Sequence, residues 1–564
     1  MISDSDFFSL VEAGSGLGDR LSGKYFVPLC VARREEGTDA NHQSRTNKES
    51  ASPIFSGDPW KNLLADTGLE KFAGPVRLRS RAQLPVWARE VRKMLAALAQ
   101  TKTSHDKQSL LGLVCEPAVM YARRRLHEKL TAEMRDSFSR TASLTLEAQL
   151  RQRLSQTAKA CFELHLNAFE TAYTYVKGSF DRKALRVFAK DPAANLLDLL
   201  QSFPALARLW SQLITDWVFQ VSELAKRLVR DRRAISKCFF CGHNPGRLID
   251  LQLNLSDPHR GGREVIVFIF ERGHVVYKPR NARAEHEWFE LLHWLNRQGF
   301  SAKFRIPRMV RRKTHSWMEF IPSKPCKSEA AARRFYRRAG AITLAAYLMR
   351  AIDCHRGNLI ASGEHPVLID LETLMHNDIG LGAENLSLGI FRTGLLPVPK
   401  SAYLPRYEYS ALAQPEPGPH TPTLNGETLP AVKYAREIIS GFREAWNLTL
   451  IKKGRRRSLR RRLRRLKTGC WRHLYWPTYN YIATRDASIT AAALRSGMER
   501  LRVLGERCAR PSVSSSVILQ EIISLERFDV PRFSKTADAE PQLPLALDIS
   551  SATQQLRAAL SRDD

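Results

Sequence analysis

An aspartate, an asparagine five positions later and an aspartate twelve positions after that lie in the stretch DCHRGNLIASGEHPVLIDLE, Asp353 to Glu372. Those types at that spacing could serve phosphoryl transfer. That reaction asks for little covalent chemistry from a protein. It needs metal held between phosphates, a positioned nucleophile and positive charge on the phosphates. Asp353 could orient or deprotonate a hydroxyl, and Asn358 and Asp370 offer the hard oxygens that Mg²⁺ requires. Kinases space a catalytic base and two metal ligands in much this way. The usual His-Arg-Asp triplet is absent, however, and His355 stands between the Asp and the Asn instead. On spacing alone, an ordinary turn and strand with solvated acids accounts for the stretch equally well.

A second constellation precedes it by about seventy-five residues: Lys278, at the end of VVYKPR. A Lys closing a strand can reach nucleotide phosphates, although an edge-strand Lys is common. Upstream, LSDPHRGGREV carries paired glycines between apolar pieces, as a turn covering phosphates would. Gly-Gly turns are widespread, so this feature is weak alone and gains weight only beside Lys278 and Asp353.

The elements that must position these residues follow from periodicity. Residues 1–230 place apolar residues at three- and four-residue spacing, as in NLLDLLQSFPALARLWSQLITDWVFQVSELAKRLVRD, and read as helices. The polar stretch from Glu35 to Pro59 reads as a loop. After Arg233 the pattern changes to short runs rich in Val, Ile and Phe, separated by Asp-Pro, Gly-Gly and Arg-Gly turns, which predicts about three strands up to Arg280. EHEWFELLHWLNRQG predicts an amphipathic helix ending at Gly299, FRIPRMVRRKTHSWMEFIP more strand, and SEAAARRFYRRAGAITLAAYLMRA a helix capped by Ser328. PVLID predicts a strand that presents Asp370 at its end. The order gives an α+β fold: a helical N-terminal region (1–230), a small sheet-rich lobe (231–325), a helical lobe (326–535) and a C-terminal tail (536–564).

The bulk numbers narrow the class. The 564 residues are 43% hydrophobic and 26% charged, within the range of globular proteins. The first residues have no basic start followed by an apolar core, so no signal peptide is expected, and AGAITLAAYLM, between Arg338 and Arg350, is too short to span a membrane. Nine scattered cysteines favour a reducing cytoplasm. The net charge of +31 and pI near 10.1 predict attraction to an acidic partner, a nucleotide or nucleic acid. IKKGRRRSLRRRLRRLK holds eleven basic residues between Lys452 and Lys467. It lacks interleaved aromatics, and Leu459, Leu463 and Leu466 recur at helical spacing. A helix with one apolar stripe and a solvated basic face is therefore expected, with an acidic peptide favoured over nucleic acid as its partner. Cys238, Cys241 and His243 resemble half a zinc site with no second half, so ordinary thiols are expected there.

Taken together, VVYKPR, DCHRGNLIASGEHPVLIDLET and FRTGLLP resemble the dehydratase part of type 2 lanthipeptide synthetases. LSDPHRGGREV fits just before the Lys motif, CWRHLYWPTYNYI fits that family's Arg-x₅-Thr segment, and FDVPRF resembles a motif near the dehydratase end. The likeness runs in order from about Leu253 to Phe533. It implies a lipid-kinase-like two-lobed core that binds a ribosomal precursor peptide through its leader. Such an enzyme phosphorylates Ser and Thr with ATP and Mg²⁺, then eliminates phosphate to leave dehydroalanine or dehydrobutyrine. By motif match, Lys278 would contact ATP phosphates, Asp353 would be the catalytic Asp with His355 beside it, and Asn358 and Asp370 would hold Mg²⁺. Arg472 and Thr478 would serve elimination, and Glu372 fits the pattern in either a structural or a direct role.

Chemistry supports that division. Elimination needs a cation on the departing phosphate, which Arg grips through paired charge-assisted hydrogen bonds. It also needs a base for the α-proton and stabilisation of enolate-like charge; none of these motifs declares the base. Two departures stand out. Trp476 occupies a position where the family often has a basic residue, and only thirty-one residues follow Phe533. The second leads to an expectation of no zinc-dependent cyclase in this chain, so that a separate cyclase would close thioether rings. A peptide kinase that stops at the phosphopeptide, and a non-catalytic peptide-binding remnant, are the alternatives.

Overall fold

The computed structural model describes residues 4–16, 19, 26–28, 76–78, 84–98, 110–177, 190–376, 389–397, 410–413, 418–510, 513–536 and 548–561. The loop expected at 35–59 and much of the Pro-rich stretch after Leu396 lie outside them. The chain divides into two compact units, each assembled from separate stretches. Met1–Asp231, Arg247–Glu264 and Trp476–Pro531 form the first, and Arg232–Gly246, Val265–Tyr475 and Arg532–Asp564 the second.

The first unit is mainly helical, as its periodicity predicts. Helices α1 (Asp4–Gly14), α2 (Val86–Leu98), α3 (Leu110–Lys129), α4 (Arg140–Lys177), α5 (Pro192–Ser202) and α6 (Pro204–Phe239) follow in order. Asp191 starts α5 by accepting the Ala194 N–H at 2.9 Å, with Pro192 in the first turn where its missing N–H costs nothing. Helix α6 runs unbroken past Arg233 to Phe239, because its buried face continues through Ile235. Trp210, fully buried on α6, donates its indole N–H to Thr157 of α4. Strand β1 (Leu248–Gln252) is tied to α4 by Thr145, whose hydroxyl donates to Asp250 at 2.7 Å. Helices Thr478–Ala487, Gly497–Cys508 and Ser515–Glu526 complete this unit around Tyr481, Leu504 and Ile522.

The second unit carries antiparallel strands β2 (Ile266–Phe270), β3 (Gly273–Lys278), β4 (Met309–Arg311) and β5 (Ser316–Glu319), in the spatial order β2-β3-β5-β4. Phe268, Tyr277 and Trp317 pack together on one face. Helix α7 (Arg283–Arg297) follows β3, and α8 (Glu329–Leu348) begins where Ser328 accepts the Ala331 N–H, as its capping position predicts. Hairpin β6 (Leu359–Ser362) and β7 (His365–Leu368) turns at Gly363-Glu364. Strand β7 stops two residues before Asp370, short of the predicted PVLID strand, because Asp370 itself takes a left-handed φ of 55°.

Helices α8 and α9 (Ala435–Trp446) cross backbone to backbone: a Cβ on Gly340 would lie 1.9 Å from the Ile438 carbonyl oxygen, and one on Gly441 1.8 Å from that of Arg337. Helix α10 (Lys453–Arg464) is the basic run, and Leu459, Leu463 and the following Leu466 are buried as its spacing predicts. Strands β8 (Cys470–His473) and β9 (Phe533–Thr536) pair antiparallel, His473 opposite Phe533. Within the stretch expected as a tail, helix α11 (Ile549–Ala559) buries Ala552 and Leu556. Among the described residues no helix is long and apolar enough to cross a membrane, and no three His, Cys, Asp or Glu side chains are grouped to hold a metal.

Candidate active site

One cluster of charged side chains gathers most of the residues singled out in the sequence. Lys278 closes β3, faces away from Tyr277 and is buried; its Nζ donates to Glu285 Oε1 at 2.8 Å. Glu285 sits in the first turn of α7, fully buried, and also takes Arg280. Burial works against its charge, but Arg280 and Lys278 hold its carboxyl down to about 2. Ser316 fixes the turn between β3 and α7: it donates to the Arg280 carbonyl and accepts the Ala282 N–H. A strand Lys paired with a helix Glu is the arrangement by which kinases aim a Lys at phosphates.

The twelve-residue spacing of Asn358 and Asp370 is the length of the β6–β7 hairpin with its flanks. Pairing of Leu359 with Leu368 brings its open ends together, and Ile369 N–H donates to the Asn358 carbonyl at 2.8 Å. The Asn358 amide nitrogen donates to the Asp353 carbonyl at 2.9 Å, which turns its side-chain oxygen elsewhere. Asp370 takes Arg280 on Oδ1 at 2.8 Å. One amide oxygen and one carboxylate suit Mg²⁺, which binds one or two such groups and completes its shell with water and phosphate.

Asp353 has a left-handed φ of 64°. Such strain in a non-glycine residue recurs at functional sites. The backbone around it is held on two sides. Ile352 N–H donates to the Thr373 carbonyl, and Cys354 N–H donates to that of Thr393 in the FRTGLLP motif. His355 Nδ1 accepts the Gly357 N–H at 3.1 Å, and its Nε2 lies 3.3 Å from the Asn358 amide nitrogen and 3.7 Å from Asp353 Oδ1. Burial among its neighbours raises the Asp353 pKa, with Asp370 and Glu372 adding to the rise and His355 and Arg472 opposing it. That direction makes it a better proton acceptor than an ordinary Asp.

Behind these groups stands Glu372, the hub of three arginines. Arg472 Nη1 donates to its Oε1 at 2.7 Å, Arg532 Nη2 to its Oε2 at 2.8 Å, and Arg280 Nε lies 2.9 Å from Oε2. The Arg472 backbone N–H also donates to the Glu372 carbonyl. Arg472 is buried, yet its Nε and Nη2 have no partner among the described residues. Those two nitrogens form the side-on edge that grips a carboxylate or phosphate bidentately.

Lys278, Asp353, His355, Asn358, Asp370 and Arg472 thus all belong to the second unit. Thr478 opens a helix of the first unit and is half-buried. Trp476, also in the first unit, carries the Arg510 guanidinium over its ring at 4.3 Å, with Arg510 anchored to Glu521. The Gly-Gly turn departs from expectation. Gly261 and Gly262, both left-handed, give their N–H groups to the buried carboxylate of Asp529, in the FDVPRF motif, so these amides brace a structural turn instead of facing phosphate. The motifs VVYKPR and FDVPRF contain Arg280 and Arg532, but the sequence reading gave neither a role. Glu285 it missed, although an acid in the first turn of the helix after the Lys strand was a signal.

The chain belongs to the family described as Domain of unknown function (DUF4135), whose model matches residues 203–417 and 404–536, more than half of the sequence. Its motifs and this membership make it a protein of the lanthipeptide-synthetase type. It is similar to the lacticin 481/lactococcin biosynthesis protein LcnDR2 of Lactococcus lactis subsp. lactis, with 26% identity over 253 residues, covering 41% of this chain. The matched region spans about a quarter (26%) of that relative's length.

Proposed function

We propose that this chain is a lanthipeptide dehydratase built on a lipid-kinase-like two-lobed core. It uses ATP and Mg²⁺ to phosphorylate Ser and Thr of a precursor peptide in the cytoplasm, then eliminates phosphate. The observation that carries the reading is the single charged cluster in which a Lys–Glu pair, a raised-pKa Asp, two hard oxygens and a buried Arg with an open donor edge occur together. Supporting it are the family membership and the similarity to a lantibiotic biosynthesis protein.

In this reading Asp353 accepts the hydroxyl proton of the substrate as its oxygen attacks the γ-phosphorus and ADP leaves. Lys278, aimed by Glu285, meets the phosphates. Mg²⁺ on Asn358 and Asp370 would neutralise phosphate charge. In the second step a base removes the α-proton. The C–H electron pair becomes the double bond, and the β-carbon–oxygen bond breaks as phosphate leaves with its electrons. Arg472 stabilises that departing charge, and Thr478 serves the same step. The leader of the peptide gives specificity, and a separate cyclase would use the product.

The test is to incubate the protein with ATP, Mg²⁺ and a candidate precursor and to record masses. Loss of water from Ser or Thr supports dehydration. Phosphate adducts alone favour the kinase alternative, and bound but unchanged peptide favours the non-catalytic one. Asp353→Ala should abolish modification of unphosphorylated peptide; normal phosphorylation would remove Asp353 from its role.

A further inference from the structure

We propose that Arg532 is a second phosphate-binding residue, and that Arg472 and Arg532 together form a site for a phosphate monoester dianion, with Glu372 as the anion that holds them apart at the right spacing. The proposal rests on the reading above, in which Arg472 meets the phosphate of a phosphorylated Ser or Thr.

Three arginines meet Glu372, and they are not equivalent. Arg280 is the most engaged: Nη1 donates to Glu285 Oε2, Nη2 reaches Glu285 Oε1 and Asp370 Oδ1, and Nε lies on Glu372 Oε2. Four of its five N–H donors already face carboxylates. Arg472 uses only Nη1 on Glu372, and its buried Nε and Nη2 lack partners among the described residues. Among the described residues Arg532 likewise uses only Nη2, on the other oxygen of the same carboxylate, and its side chain is 15% exposed. The guanidiniums of Arg472 and Arg532 therefore flank one carboxylate, one at each oxygen.

That arrangement resembles one edge of a phosphate gripped from both sides. A buried guanidinium with an open side-on edge is costly unless an anion completes it, and a phosphate monoester brings up to two negative charges and three acceptor oxygens. Two planar forks match those oxygens better than one. Strand pairing explains why the second cation comes from so far along the chain. Strand β9 runs antiparallel to β8, with Ser534 opposite Arg472, so Arg532 lies just beyond the pairing that presents Arg472.

The charge balance sets a condition on binding. Lys278, Arg280, Arg472 and Arg532 face Glu285, Asp353, Asp370 and Glu372, four cations against four acids, so no surplus of positive charge waits for a ligand. Glu372 already neutralises part of the arginine charge. An arriving dianion must therefore share or displace that carboxylate, and both arginines must reorient toward it together.

O-phospho-L-serine titrated into the full chain at physiological salt, followed by broadening of its phosphorus resonance, tests this without any precursor peptide. Arg472→Gln and Arg532→Gln should each weaken binding about tenfold or more, the loss expected for one charge-assisted fork. Arg532→Lys, which keeps the charge but not the fork, should fall between wild type and Arg532→Gln. Arg457→Gln on α10 should bind as wild type, because exposed charges are screened at this salt. Weakening by Arg472→Gln with wild-type binding by Arg532→Gln overturns this inference alone. Wild-type binding by Arg472→Gln overturns the reading beneath it as well. If Arg532→Gln does not fold, Arg532→Lys decides: undiminished affinity rejects the second fork.

Discussion

Glu372 and Asp529 are both buried carboxylates in motif segments, one in each unit, and their surroundings push them in opposite directions. Burial disfavours charge on both. At Glu372 the guanidiniums of Arg280, Arg472 and Arg532 overcome it and hold the carboxyl well below its ordinary value. At Asp529 the partners are the N–H dipoles of Gly261 and Gly262. Burial prevails there, raising the pKa to about 6. Full charges outweigh desolvation where two amide dipoles do not. The consequence is a division of labour: Glu372 stays ionised and orders three arginines, and Asp529 closes a turn.

The largest expected effect breaks the first side of that comparison. Glu372→Ala strands three cations around an empty space and should cost about 3–5 kcal/mol of stability, read by denaturant unfolding. Asp529→Ala removes the acceptor of one buried and one part-buried amide and should cost about 1–3 kcal/mol, by the same measurement.

The pH dependence separates the two with opposite signs. The Asp529 pKa is raised in the folded state, so its contribution is present below the ordinary Asp value of about 3.9 and is lost as pH rises through about 6. Wild type should lose about 2–3 kcal/mol relative to Asp529→Asn between pH 4 and pH 7, as melting curves would show. Glu372 is depressed, so its contribution is present above about pH 4.3 and lost as pH falls toward its lower folded value; Glu372→Gln should flatten the acid limb. The smallest effect belongs to α10. Arg457→Gln or Arg461→Gln should shift stability by no more than about 0.5 kcal/mol, because these exposed like charges lie four apart and repel. A larger loss would mean that this face has a partner within the chain.

Some of this was legible in the sequence. That Asn358 and Asp370 lie at the open ends of one hairpin was legible because a hairpin converts short linear spacing into proximity, and that Lys278 closes a strand was legible from the apolar run before it. The stripe of Leu459, Leu463 and Leu466, the Ser328 cap and the strand-rich segment after Arg247 followed from periodicity and propensity. The arginine hub could not be read this way. Arg532 and Glu372 are 160 positions apart, and Glu285 looks like its neighbours Glu287 and Glu290 until burial distinguishes it. The Gly-Gly turn was misread because its local pattern suits any anion, and the anion came from Asp529, more than 260 residues away. The boundary near Arg233 was blurred because composition changes there while the apolar face of α6 does not.

The most direct test of the central claim, that one chain both phosphorylates and eliminates through separable groups, is the mass of a precursor peptide after incubation of the Arg472→Ala protein with ATP and Mg²⁺. Phosphorylated peptide should accumulate where wild type yields peptide that has lost water, and Thr478→Ala should behave alike. Water loss at the wild-type rate in both variants would contradict the account.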